Sequence, residues 1–212
     1  MDLLLKALLP GLGVVLLAIV SGAGGSALLE LYYKPRRDRR KAARLLATEI
    51  NINAELVLLQ SQLRKKTPRM IARDFHLLTN AWQSAAGAVA EFPPGLLKQV
   101  QLLYAWFERI NENVLLYADA QSELEDLSAD STKTRRLKTY LNTIIDVFNI
   151  GLDDAFDLAK TVLPELLDLA HIPKRSRKEA VNDYEVKVQA LLAGRAERLK
   201  ALDAMDDNGS SS

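Results

Sequence analysis

The chain has 212 residues, 49% of them apolar, with 28 basic and 27 acidic side chains and a formal net charge of +1, enough for one domain and an accessory segment. Cysteine is absent, which excludes disulfide frameworks, thiolate metal sites and cysteine nucleophiles. The two histidines, His76 and His171, exclude any site that needs three imidazoles from one chain.

The apolar residues are unevenly spread. Residues 7–29 form a run of 23 positions without a charge, and at ~1.5 Å per residue such a helix crosses a ~30 Å hydrocarbon core with some tilt. A transmembrane signal-anchor helix is therefore expected over 7–33, after a short external N-terminus, 1–6. Pro10 falls near its start, and Tyr32 and Tyr33 fall where amphipathic rings favour the headgroup region. Ala18, Gly22 and Ser26 recur every four positions, a spacing that lets two membrane helices approach closely and self-associate.

Residues 34–44 follow with seven cations, Lys34, Arg36, Arg37, Arg39, Arg40, Lys41 and Arg44, against the single Asp38. By the positive-inside bias this block keeps the C-terminal part in the cytoplasm, with the N-terminus outside the inner membrane of a bacterium. The alternative is a cleaved signal peptide, with Ser21-Gly22-Ala23 as the small-residue cleavage site and an exported domain. The block also has the position and charge to bind anionic headgroups, each cation near the surface contributing ~1 kcal/mol before screening. Without it the rest of the chain is net −5, which argues against nucleic-acid binding.

The remainder, 45–205, reads as an all-α helical bundle, because no run alternates apolar and polar side chains as strands require. Pro35 predicts a break or kink before a helix over 36–65, in which Ala42, Leu46, Ile50 and Val57, together with Leu45, Ile52, Leu56, Leu59 and Leu63, make a broad apolar surface. Thr67-Pro68 marks a boundary, residues 69–78 lack a pattern, and Thr79 is placed to cap a short helix over 80–91. Pro93-Pro94 opens a long helix with Leu96, Val100, Leu103, Phe107, Ile110, Val114, Tyr117 and Leu124 at four-three spacing. A turn near 128–131 leads into a second stripe, Leu137, Leu141, Ile144, Phe148, Leu152, Ala155, Ala159, Val162 and Leu166, so the two form an antiparallel hairpin. Pro164 predicts a kink near its end. Ser176 and Glu179 have capping-box spacing for a last helix, and the polar tail 206–212 is expected to be disordered.

No residue pattern supports catalysis, a cofactor or a metal. Gly22-Ala23-Gly24-Gly25-Ser26 is glycine-rich but lacks a phosphate-binding lysine and sits in the membrane run. Asp168 and His171 make only one acid-histidine pair, where diiron bundles need two Glu-x-x-His units. Asn142, Asp146, Asn149, Asp153 and Asp157 share one helical stripe that could hold a cation, but it lies opposite the apolar stripe, where solvent is expected. Glu49 and Asn53 sit on the same face as Leu46, Ile50 and Val57. Polar groups there must find partners, so they either fix helix register or line a pocket.

Smaller basic groups lie at 64–73, 133–138 and 174–178. If successive long helices alternate in direction, the second returns to the membrane side, and the first and third meet at the far end. The layout resembles that of small bacterial inner-membrane proteins. The expected function is a single-pass anchor whose bundle scaffolds or binds a protein partner or a second copy. The competing expectation is a membrane-tethered enzyme or ligand sensor using Glu49 and Asn53, or Asp146, Asp153 and Asp157.

Overall fold

The computed structural model describes residues 23–66, 71–72, 74–127 and 132–209. The described part is helical: α1 (Ala23–Lys66), α2 (Asn80–Val89), α3 (Pro94–Glu125), α4 (Thr132–Leu169) and α5 (Lys174–Gly209). Most of the expected membrane segment lies outside these residues, including Ala18 and Gly22, as does the side chain of Ser26. Among the described residues no helix is long and apolar enough to cross a membrane. The Thr67-Pro68 boundary and the turn at 128–131 also lie outside them.

The expected break at Pro35 is absent, since α1 runs through it. Proline removes one amide donor and crowds the preceding turn. Here the ring faces outward, and the lysines, arginines, alanines and leucines on either side propagate a helix well enough to carry it past one missing bond. The basic block is thus the middle of a helix rather than its start. On α1 the core face is Ala42, Ala43, Leu46, Ala47, Ile50, Ala54 and Val57, whereas Leu45 and Leu59 remain more than half exposed. The broad apolar surface expected of this helix is therefore only partly covered.

Helix α2 runs back along α1. Ala81 is bonded to Glu49 and Leu78 to Asn53, while Ser84, Gly87 and Glu91 face residues between Lys34 and Leu45. Helix α3 then starts at the N-terminal end of α1 and runs parallel to it, with Tyr104 beside Glu49 and Asn111 beside Leu77. Pro94 occupies the first turn of α3 behind Pro93 at φ −52° and ψ 135°, an extended conformation that proline imposes on its predecessor.

The α3–α4 hairpin forms as expected. Phe107 meets Phe156, and a Cβ on Gly151 would lie 3.3 Å from Ile110 Cγ1, so glycine lets the two helices approach there. Lys133 pairs with Glu123 at the far end. All members of both apolar stripes are buried except Leu124, Leu137 and Leu152, which are half-buried. Pro164 does not interrupt α4, because Leu163, Leu166 and Leu167 are buried around it and hold the last turn on the core.

Helix α4 ends in a Schellman motif. The Ile172 amide donates to the Leu167 carbonyl and the His171 amide to the Asp168 carbonyl, with His171 in the left-handed region at φ 54°. That position favours glycine, since a Cβ there costs roughly 1 kcal/mol or more. His171→Gly is therefore expected to raise the unfolding free energy by about 1 kcal/mol in urea titration; a neutral or destabilising result would mean that the imidazole contributes a contact that outweighs the strain.

Helix α5 starts at Lys174, ahead of the Ser176–Glu179 box, so Ser176 lies inside the helix. It continues to Gly209, past the start of the segment expected to be disordered. Its register is held by Tyr184, whose hydroxyl donates to the Phe156 carbonyl, and by Lys187, which bonds Asn51 and Glu55 of α1 and Asp183 of α5. Burial acts to lower the Lys187 pKa, but the bonds to Asp183 and Glu55 outweigh it and the net direction is up. A row of aromatic contacts, Trp82–Tyr104–Phe107–Phe156–Tyr184, ties α2, α3, α4 and α5 together.

Candidate functional site

Two features stand out from the ordinary packing of a bundle. The first is the irregular stretch before α2, over residues 71–72 and 74–79. Ile71, Phe75 and Leu77 are buried, so this non-helical backbone has to satisfy its amides away from water. Two asparagines on different helices do so. Asn111 of α3 accepts from the Leu77 amide at 2.7 Å and donates to its carbonyl at 2.9 Å. Asn53 of α1 does the same for Leu78, at 2.7 and 2.9 Å. Each side chain pairs with both polar groups of one residue, as a neighbouring strand would.

Glu49 acts one turn away. Its Oε2 accepts from the Ala81 amide at 2.8 Å and its Oε1 from the Tyr104 hydroxyl at 2.8 Å, with the residue only 6% exposed. The Ala81 amide is one of the unpaired donors at the start of α2, and an acceptor there complements the helix dipole. This explains why Thr79, although it occupies the N-cap position, makes no side-chain cap bond: its donor is already taken from α1. Burial, then the charge of Glu49 and the bond to it, push the Tyr104 phenol far above its usual pKa, so it remains a donor. Burial, then the charge of Asp157, do the same to Tyr184.

Glu49 and Asn53, singled out in the sequence, are thus brought together around one backbone segment, with their polar atoms occupied by the chain itself. Asn111 and Tyr104 complete the arrangement and were missed. Asn111 lies four residues after Phe107 and three before Val114, inside the apolar stripe, and that is the signal that could have found it.

The second feature is the basic end. Lys34, Arg36, Arg37, Arg40, Lys41 and Arg44 are exposed and Arg39 is half-buried. Between them and α2 lies an open cleft of about 610 Å³ lined by Lys34, Asp38, Lys41, Leu45, Gly87 and Glu91 among others. A second cleft, of about 380 Å³, lies at the α4–α5 corner and is lined by Asp168, His171, Lys174 and Arg177 among others.

The alternating-direction expectation for the smaller basic groups is overturned. Because α2 turns the chain back and α3 runs parallel to α1, the 133–138 group lies at the far end. The 174–178 group begins ~20 Å before Lys187, and Arg39 lies a similar distance before Asn51, so both fall at the N-terminal end of the bundle.

The stripe on α4 is not enclosed. Asp146 and Asp157 are exposed, Asn142, Asn149 and Asp153 are half-buried, and Asp157 pairs with Lys160 at 2.6 Å. Among the described residues no group of three or more potential ligands could hold a metal ion. His76 and His171 are exposed and on separate parts of the chain. No protein family, curated protein or solved structure matches the chain.

Proposed function

We propose that the chain is a single-pass, membrane-anchored scaffold. Its helical bundle stands at the cytoplasmic face, on anionic headgroups, and binds a protein partner or a second copy of itself without catalysing a reaction. The observation that carries this reading is the continuity of α1 from Ala23, through the basic block, to the buried Ala42 and Leu46. An apolar run leading into one rigid helix would hold the bundle at a set distance from the bilayer, where a flexible tether would not. Glu49, Asn53, Asn111 and Tyr104 all bond groups of the chain itself, which supports a role in holding the backbone of residues 77–81, and so a scaffold rather than an enzyme at that position.

The test uses the absence of native cysteine. Asp2→Cys and Ser211→Cys are expressed singly in a bacterium and probed in spheroplasts with a membrane-impermeant maleimide. Labelling of the first but not the second, in a chain that resists alkaline extraction, is the expected result. Labelling of the second, with the first lost from the mature chain, would establish the exported alternative and overturn the anchor.

A further inference from the structure

The fold brings together two cation groups that are far apart in sequence. Lys174, Arg175, Arg177 and Lys178 fall within five positions at the start of α5, level with the 34–44 block of α1. The first turn of α5 contains no acidic residue. Cations there oppose the helix dipole, which favours negative charge at an N-terminus. Arg175 is paired with Glu179 and Arg177 with Asp168. Lys174 and Lys178 are exposed and have no ion pair among the described residues. The two clefts described above open beside these groups, each lined by two or more basic side chains.

We infer that the end of the bundle carrying Lys174 and Lys178 is a second membrane-contact surface, which docks the α4–α5 corner onto anionic lipid beside the point where α1 emerges. This rests on the anchored reading above and extends it from a helix that stands on the bilayer to a bundle held at two points. An anionic lipid surface is the occupant because the α1 block, at the same level, continues directly toward the expected membrane segment. Cations within about a Debye length of such a surface are attracted to it.

The experiment uses the full chain in vesicles of phosphatidylcholine alone or with roughly one-third phosphatidylglycerol. Ser176→Cys, next to the cluster, and Ser122→Cys, on distal α3, each carry a fluorophore quenched by headgroup-labelled lipid. Quenching at Ser176→Cys is expected to rise about twofold with phosphatidylglycerol and to fall with added salt, while Ser122→Cys stays unquenched. Adding Lys174→Glu and Lys178→Glu should abolish that rise.

These two substitutions put acids where the helix dipole prefers them, so the melting temperature should hold or increase, which separates lost docking from lost folding. Quenching at Ser176→Cys that ignores phosphatidylglycerol would overturn the docking whether or not the chain is anchored. Retention on immobilised polyglutamate in that case would assign the patch to an acidic protein. Alkaline extraction of the same vesicles reports on the anchor separately, so the two readings can fail independently.

Discussion

Asn111→Leu is expected to lower the unfolding free energy by about 3 kcal/mol, one of the two largest effects expected of a single polar substitution in the bundle. Leucine shares asparagine's branched outline and is larger, so no cavity opens, and some overpacking adds to the cost. What is lost is the partner for both the amide and the carbonyl of Leu77, a residue that is 0% exposed. Neither group can turn to water, and each unpaired buried polar group costs ~1–3 kcal/mol. Asn53→Leu removes the same pair of bonds from Leu78. Its expected cost is nearer 2 kcal/mol, because Leu78 is only half-buried and recovers some solvation.

The double substitution should cost less than the sum. Both side chains hold one short stretch of backbone, and once it is released by the first loss the second has less to hold. Urea titrations of the two single variants and the double variant measure this coupling. A loss below about 0.5 kcal/mol for Asn111→Leu would mean that the Leu77 backbone finds other partners.

Glu49→Leu should cost a similar amount, about 3 kcal/mol, by a different route. It leaves the Tyr104 hydroxyl and the Ala81 amide without their acceptor, and it removes a negative charge from the N-terminus of α2. Removing a buried carboxylate returns part of that cost, because its own desolvation no longer opposes folding. Glu49→Gln keeps one acceptor for either donor and should cost only about 1 kcal/mol.

The effect should also be local. Amides in the first turn of α2 are expected to exchange faster with deuterium in Glu49→Leu, while those in the α3–α4 hairpin keep their protection under native conditions. Uniform loss of protection would mean that Glu49 supports the whole core rather than the start of one helix.

Both predictions concern residues whose polarity was legible in the sequence but whose partners were not. Glu49 and Asn53 attracted attention because they interrupt an apolar face. Nothing in their spacing indicated that one would cap a helix more than 30 positions away and the other would bond a single residue of the patternless stretch 69–78. Its described residues, 71–72 and 74–78, form neither helix nor strand, and they show no period for that reason. Its buried side chains, Ile71, Phe75 and Leu77, look like scattered apolar residues until α1 and α3 are placed on either side. Thr79 misled for the same reason: its type and position suit an N-cap, but the donor it would have satisfied is taken from another helix. Pro35 and Pro164 misled differently, since the helix-breaking rule describes a local cost and both helices are held together by neighbouring turns and burial.

From the sequence alone came the all-helical class, the α3–α4 hairpin and its buried stripes, the short helix beginning near residue 80, and the charge separation between a basic block and a net acidic remainder. These follow from periodicity and composition, which act within one helix at a time. Tertiary structure alone decided which way α2, α3 and α5 run relative to α1, and with that which basic groups share an end. A period of 3.6 reports which side of a helix is buried and carries no information on its direction relative to its neighbours. The direction was set by the return of α2 along α1, and that return depends on the bonds that Glu49, Asn53 and Asn111 make with residues 77–81.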